Sequence, residues 1–283
     1  MRKMSLVSDD RRIVLEGVEL QLVHPDEFPT SWVGQKECWK QLLAAWLVVE
    51  PSDIPMNPRL VGKPGVGKTT LAYAAGKSLG RDVYIFQATM DTRPEDLLIT
   101  PVISPDAKIQ YVASPLVTAM LRGGVCILDE GNRMSEKAWA SLAPLLDHRR
   151  YVESIVTGLK IRAHPDFRFV ATLNDDASTY ELPEYIHSRL QPQILVDFPE
   201  REEELRILRE NLPFCEEEIL RYVVEFLQRA HRAEERYTVR DGINVARYAF
   251  KLLRQRAHWK RESAIREGIR MILGEEAFVY LDQ

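Results

Sequence analysis

The sequence predicts an α/β domain, a parallel β-sheet sandwiched by helices, followed by a small all-α domain. Three patterns predict it. Short continuous apolar runs at Leu60-Val61, Val83–Phe86, Val125–Leu128 and Phe167–Leu173 suit strands buried on both faces. Segments with helical spacing alternate with those runs. After Pro199 only helical segments follow, each dense in charge, which places a boundary near Phe198–Arg201. The expected division is 1–30 as a leader, 31–198 as the α/β domain and 199–283 as the helical domain.

The elements follow in order. Arg12–Leu15 and Val18–Val23 are strand-like pieces of the leader, which Pro25 and Pro29 break. Lys36–Val49 has helical periodicity and stops before Pro51. Thr70–Leu79 reads as a helix closed by Gly80. Thr89–Pro105 reads as loop, and a small hairpin is expected over roughly Thr100–Val112, turning at Asp106-Ala107. Leu116–Arg122 is a short helix, and Ser135–Leu146 another with Ser135 as its cap. Tyr151–Ile161 is a second hairpin turning at Gly158, and Tyr185–Leu190 is helical. The last domain takes Arg201–Leu212, Cys215–Ala230, Val239–Gln255 and Arg261–Leu273 as helices.

Composition narrows the function classes. Of 283 residues, 45% are hydrophobic and 28% charged, as in ordinary globular proteins. A net charge of −4 speaks against a binder of nucleic-acid backbone. Cys38, Cys126 and Cys215 are too few and scattered for a disulfide framework or a zinc site, and fit a reducing, cytoplasmic setting. There is no signal-peptide pattern and no apolar run of membrane-spanning length, so no membrane span is expected. The lone histidines lack metal-ligand spacing, and His164-Pro165 reads as a turn. The five tryptophans read as packing residues, with Trp46 and Trp139 partly exposed.

Gly62-Lys63-Pro64-Gly65-Val66-Gly67-Lys68-Thr69 matches the phosphate-loop pattern G-x-x-x-x-G-K-[ST] in full, between an apolar strand and a helix. Glycines let the backbone turn tightly and bring its N–H groups to phosphate oxygens. The helix start adds its positive dipole end to the same anion site. Lys68 is placed to reach the β- and γ-phosphates, and the Thr69 hydroxyl to ligate Mg²⁺. The expected nucleotide contacts are Gly62, Pro64, Gly65, Val66, Gly67, Lys68, Thr69 and the following Thr70. Val125–Leu128 then delivers Asp129 and Glu130 to the carboxyl end of a buried strand. That is a Walker B arrangement, with Asp129 in the Mg²⁺ shell and Glu130 as general base for the attacking water.

From Val33 to about Ala249 the chain resembles the AAA+ ATPases, and within them the MoxR branch, akin to dynein- and midasin-type modules. Asp129-Glu130-Gly131-Asn132-Arg133 is similar to that branch's D-E-[IA]-N-R string, and the two hairpins fit it as well. Phe169–Asn174 resembles the sensor 1 strand, which implies that Asn174 lies near the γ-phosphate and the water. The branch often continues Asn-Pro, whereas here Asp175-Asp176 follows. Leu182–Leu190 resembles the arginine-finger segment, which implies that Arg189 enters the neighbouring subunit's site. Thr238-Val239-Arg240 resembles the sensor 2 position, with Arg236 and Arg247 nearby; Arg240 is the better match. Val33-Gly34-Gln35 resembles the segment lining the adenine pocket, Gln87 is a candidate polar switch for Glu130, and Arg133 reads as structural or inter-subunit.

The resemblance implies an ATP hydrolase that uses Mg²⁺ and binds ATP between the α/β domain and a helical lid. It implies a homo-oligomeric ring, hexameric by family habit, that remodels or assembles a protein client, often alongside a partner carrying a von Willebrand A domain. Rival readings are a nucleotide-gated scaffold and a nucleic-acid-linked ATPase, with a metabolite kinase further off. The acidic balance makes nucleic acid the weaker expectation.

Overall fold

The computed structural model describes residues 11–28, 32–175, 181–255 and 259–281. Asp176 and the ends of the expected leader lie outside them. The chain divides into two compact units: 1–30, 38–61 and 69–195 form the first, and 31–37, 62–68 and 196–283 the second.

The α/β unit begins with β1 (Arg12–Leu15) and β2 (Val18–Gln21), an antiparallel hairpin. These residues are built into the fold rather than trailing from it, because Leu20 and Leu22 are buried in its core. Helix α1 (Lys36–Trp46) follows, then β3 (Arg59–Gly62), α2 (Lys68–Ser78) and β4 (Val83–Gln87). The expected first hairpin is β5 (Ile99–Ile103) and β6 (Ile109–Ala113). Part of the stretch read as loop is therefore strand. Pro101 sits in β5, which lies at a sheet edge where a missing N–H is tolerated. Strands β2 and β6 pair in parallel, joining the two hairpins in the order β1-β2-β6-β5.

Helix α3 (Pro115–Arg122) is capped at both ends, by the Ser114 hydroxyl accepting from Val117 N–H and by Gly123 in the left-handed region. Then come β7 (Val125–Asp129) and α4 (Glu136–Leu142), with Ser135 capping as expected. The second hairpin is β8 (Tyr151–Glu153) and β9 (Lys160–Arg162). After it come β10 (Arg168–Asn174), α5 (Glu184–His187) and β11 (Gln193–Leu195). The central sheet has the order β11-β3-β10-β7-β4, and β11–β3, β10–β7 and β4–β7 are parallel pairs. All seven residues of β10 are buried, as a strand covered on both faces requires.

Trp46 and Trp139, expected to be partly exposed, are buried. Each indole N–H finds a carbonyl inside the unit, Trp46 on Phe169 at 2.9 Å and Trp139 on Gly131 at 3.2 Å. A satisfied N–H removes the reason to keep the ring edge in water.

The second unit is built on α6 (Arg201–Asn211), α7 (Glu217–Arg232), α8 (Val239–Gln255) and α9 (Arg261–Leu273). Its core is separate, formed by Leu208, Val223, Leu227, Val245, Ile265 and their neighbours. Helices α7 and α8 approach so closely at Gly242 that a methyl there would meet Leu227 Cδ1 at 2.4 Å. The segments 31–37 and 62–68 join this unit through contacts near α6 and α8. Gln35 N–H donates to Glu203 at 3.0 Å, and a Cβ on Gly65 would lie 2.7 Å from the Thr238 hydroxyl.

Candidate active site

The phosphate loop follows β3 directly, and α2 opens at Lys68. Gly65 and Gly67 have φ of +84° and +97°, a region that costs a β-carbon strain, so the motif's glycines are set by backbone geometry. The Trp32 ring lies over Gly67, and its indole N–H donates to Gly34 O at 2.9 Å, which gathers the Val33-Gly34 segment beside the loop. Lys68 is buried, and its ammonium donates to the carbonyls of Gly62 and Lys63, each at 2.8 Å. A lysine curled into its own loop is a cation held where an anion is to arrive. Pro64 is exposed, Val66 is buried, and Thr70 sits in the first turn of α2.

At the start of α2 the Thr69 hydroxyl donates to Asp129 Oδ1 at 2.6 Å. Strand β7 carries Asp129 at its last position, opposite Gln87 in register. The Thr172 hydroxyl of β10 donates to the same oxygen, also at 2.6 Å, and accepts from Glu130 N–H at 2.9 Å. One hydroxyl thus ties both acidic residues to the neighbouring strand. Glu130 itself is in the left-handed region, with φ of 55°. Its carboxylate accepts from the Asn174 amide at 2.9 Å and pairs with Arg133 Nε at 2.6 Å. The latter contact is an ion pair and not an aligned hydrogen bond, since the N–H of Nε points off the carboxylate. Asn174 is held in turn by Asn132, whose Nδ2 donates to Asn174 O at 2.7 Å and whose Oδ1 accepts from Asn174 N–H at 3.1 Å.

The structure therefore brings Thr69, Asp129, Glu130 and Asn174 into one bonded cluster. Gln87, the candidate switch, is exposed, and Glu130 is held by Asn174 and Arg133 instead. Arg189 is not in this cluster; its Nη1 donates to Tyr185 O at 2.5 Å and its Nε faces Asp147 Oδ2 at 3.6 Å. Arg240 is exposed in the first turn of α8, two residues after the Thr238 that faces Gly65.

Three residues were missed from the sequence. Thr172 is a buried hydroxyl in an otherwise apolar run, and that polar interruption was the available signal. Asn132 lay in the acidic string without an assigned role. Arg59, in β3, donates to His187 O at 2.9 Å and Leu190 O at 2.7 Å, bracketing the turn that carries Arg189. Burial lowers its pKa below that of an ordinary guanidinium, and these carbonyls, Gln193 and the His187 ring partly offset the desolvation.

Residues 59–190 match the family of the AAA domain, dynein-related subfamily. That match spans somewhat less than half of the chain and marks the segment as similar to AAA domains. Beyond it, an uncharacterised protein of Staphylococcus aureus (strain USA300) is 30% identical over 127 residues, 44% of this chain and 48% of that protein. The chain thus spans about half the length of the relative it matches. An uncharacterised protein of Staphylococcus epidermidis is 25% identical over 175 residues, 60% of this chain and 66% of that protein. Among solved structures, the Holliday junction branch migration motor RuvB of Thermotoga maritima has a TM-score of 0.58 at 17% identity. That match covers 84% of this chain and 70% of RuvB. A provisionally named ATPase of Cytophaga hutchinsonii gives 0.51 at 21% identity, covering 85% and 82%. At such identities these structures carry the fold alone, a parallel sheet flanked by helices with a helical region after it. No helix among the described residues is long and apolar enough to cross a membrane.

Proposed function

We propose that this chain is an AAA+ ATPase that hydrolyses ATP with Mg²⁺ and works in a homo-oligomeric ring of the MoxR type that remodels or assembles a partner protein.

 

The observation that carries this reading is the Thr69–Asp129–Glu130–Asn174 cluster, in which a hydroxyl and a carboxylate meet at 2.6 Å and a second carboxylate stands one residue further on. Hydroxyl and carboxylate oxygens are the donor types that Mg²⁺ takes alongside phosphate oxygens and water. Thr69 and Asp129 would hold the ion, which when bound neutralises charge on the β- and γ-phosphates.

The protein's own residues do the rest. The loop from Gly65 to Thr69 receives the phosphates with backbone N–H groups, the Lys68 ammonium and the positive end of α2. Val33 and Gly34, gathered beside the loop by Trp32, line the base pocket. Glu130 takes the proton of the attacking water once its carboxylate leaves Arg133, and the Asn174 amide orients that water. Arg189, whose partners lie outside its own chain's acidic cluster, is presented to a neighbouring copy as a finger, and Arg240 is the sensor of the γ-phosphate. Ring assembly, of six copies by the habit of the resembled branch, follows from a finger that its own site does not use. The client is a protein complex or a partner with a von Willebrand A domain, in the cytoplasm. Likeness to RuvB rests on fold, so DNA enters only as an arm of the assay.

The test is phosphate release from ATP with and without Mg²⁺, by the native chain and by Glu130→Gln. Mg²⁺-dependent turnover that Glu130→Gln abolishes while retaining ATP supports the reading, and the trapped complex then serves to capture the client. Native protein that neither retains nor cleaves ATP in its assembled state overturns it. Stimulation by DNA in a salt-sensitive manner would move the client from protein to nucleic acid.

A further inference from the structure

Arg189 stands on an unusual footing. Its Nη1 is anchored on its own turn by the Tyr185 carbonyl, its guanidinium lies 6.0 Å from the Tyr185 ring centroid, and its buried Nε has no hydrogen-bond acceptor. The carboxylate facing that Nε is Asp147, at 3.6 Å, an ion-pair distance. Arg59 fixes the backbone on either side of Arg189 by its bonds to His187 O and Leu190 O. The turn is therefore tied to β3, and the side chain's direction is left to Tyr185 and Asp147.

Asp147 is itself tightly set. It follows Leu145 and Leu146, whose side chains are buried and anchor the chain just before it. Its Oδ1 accepts from Arg149 N–H at 3.0 Å, and both its oxygens receive the Arg149 guanidinium, with Nη2 at 2.7 Å from Oδ2. The Arg149 fork holds the Asp147 carboxyl down at about 2, against an opposing push from burial. One carboxylate, permanently charged and aimed by one arginine, thus faces a second arginine that the fold otherwise leaves unpaired at Nε.

We infer that Asp147 is a positioning residue for Arg189, fixing the direction in which its guanidinium reaches an anion. The inference rests on the proposed role of Arg189 as a finger for a neighbouring copy. The rival is that Asp147 only shapes the turn into β8, through its bond to Arg149 N–H. Asn at this position separates the two, because its amide oxygen keeps the turn bond and lacks the charge.

The experiment compares Asp147→Asn, Arg189→Ala and the double variant in the full chain, reading kcat, KM for ATP, affinity for a fluorescent ATP analogue, and melting temperature. Asp147→Asn should lower kcat on the order of tenfold with affinity and melting unchanged, and add no further loss in the Arg189→Ala background. Mixing Asp147→Asn with Lys68→Ala subunits should recover turnover, since the second copy supplies an intact Asp147–Arg189 pair to a working site. If Arg189→Ala loses turnover while Asp147→Asn keeps it, this inference falls and the finger reading stands. An equal extra loss in the double variant also overturns it, because Asp147 then acts elsewhere. If Arg189→Ala turns over normally, the finger reading falls and takes the inference with it. Should Asp147→Asn melt early, Asp147→Glu decides: the retained charge restores kcat if positioning is the role, and fails to if it is not.

Discussion

Thr172→Val removes one hydroxyl from a side chain of nearly the same shape, at a position that is 1% exposed. That hydroxyl donates to Asp129 Oδ1 and accepts from Glu130 N–H, so the substitution strips a bond from each acidic residue. Glu130 N–H is left without its acceptor inside the fold, which costs about 1–3 kcal/mol. Asp129 retains the Thr69 bond on the same oxygen, so its loss is the smaller part. A net destabilisation of about 2 kcal/mol corresponds to a fall in melting temperature of roughly 4–8 °C for a unit of this size. Turnover should fall further than stability, because Glu130 sits at φ of 55° and this bond helps to hold its backbone there. A loss on the order of tenfold or more in kcat is expected, with nucleotide affinity largely kept, since the hydrogen bonds of Thr172 go to the two acidic residues and those of Lys68 to the loop are left intact. Thermal melting and steady-state phosphate release check both, with Thr172→Ser as the control that keeps the hydroxyl. A valine variant that melts and turns over as the native protein does would refute the claim that one hydroxyl organises the two acids.

Other outcomes follow from the same geometry. Lys68→Ala should abolish nucleotide binding, read by fluorescent-analogue titration, because the one buried ammonium of the loop is gone. Arg133→Ala should leave ATP affinity in place and change kcat several-fold, since it frees the Glu130 carboxylate from its ion pair; an unchanged kcat would make Arg133 a bystander. Glu204, fully buried in α6 with only Gln228 on Oε2, has its carboxyl pushed up to about 7 by desolvation. A folded-state pKa raised above its ordinary 4.5 means that stability is fully present below about 4.5 and is lost as pH rises through 7. The loss approaches about 3 kcal/mol at pH 8. Glu204→Gln should flatten that decline in urea unfolding at pH 6 and pH 8, and an unflattened curve would locate the titrating group elsewhere.

The candidate site was legible to different depths. Gly65 and Gly67 announce their left-handed backbone by being glycine, and Asp129 and Glu130 announce a buried strand end by closing a run of four apolar residues. Thr172, Asn132 and Arg59 announce almost nothing, because their roles depend on which strand lies alongside. Thr172 reaches Asp129 only because β10 pairs with β7, residue 168 against 125. Strand β11 was missed for a similar reason: of Gln193–Leu195 only Ile194 is buried, a signal too short to read, and pairing with β3 makes it a strand. Trp46 and Trp139 went inside because carbonyls of Phe169 and Gly131 receive their N–H groups, and no local pattern encodes those partners.

What the sequence determined by itself was the kind of local structure and the chemistry offered. Apolar runs make strands, helical spacing makes helices, and glycines permit the phosphate loop, all through interactions within a few residues. The tertiary structure decided which groups meet: that Glu130 is held by Asn174 and Arg133 while Gln87 stays in solvent, and that Arg189 faces Asp147. Those pairings join residues from separate strands and turns, and only the register of the sheet and the packing of its flanks bring such side chains within bonding distance.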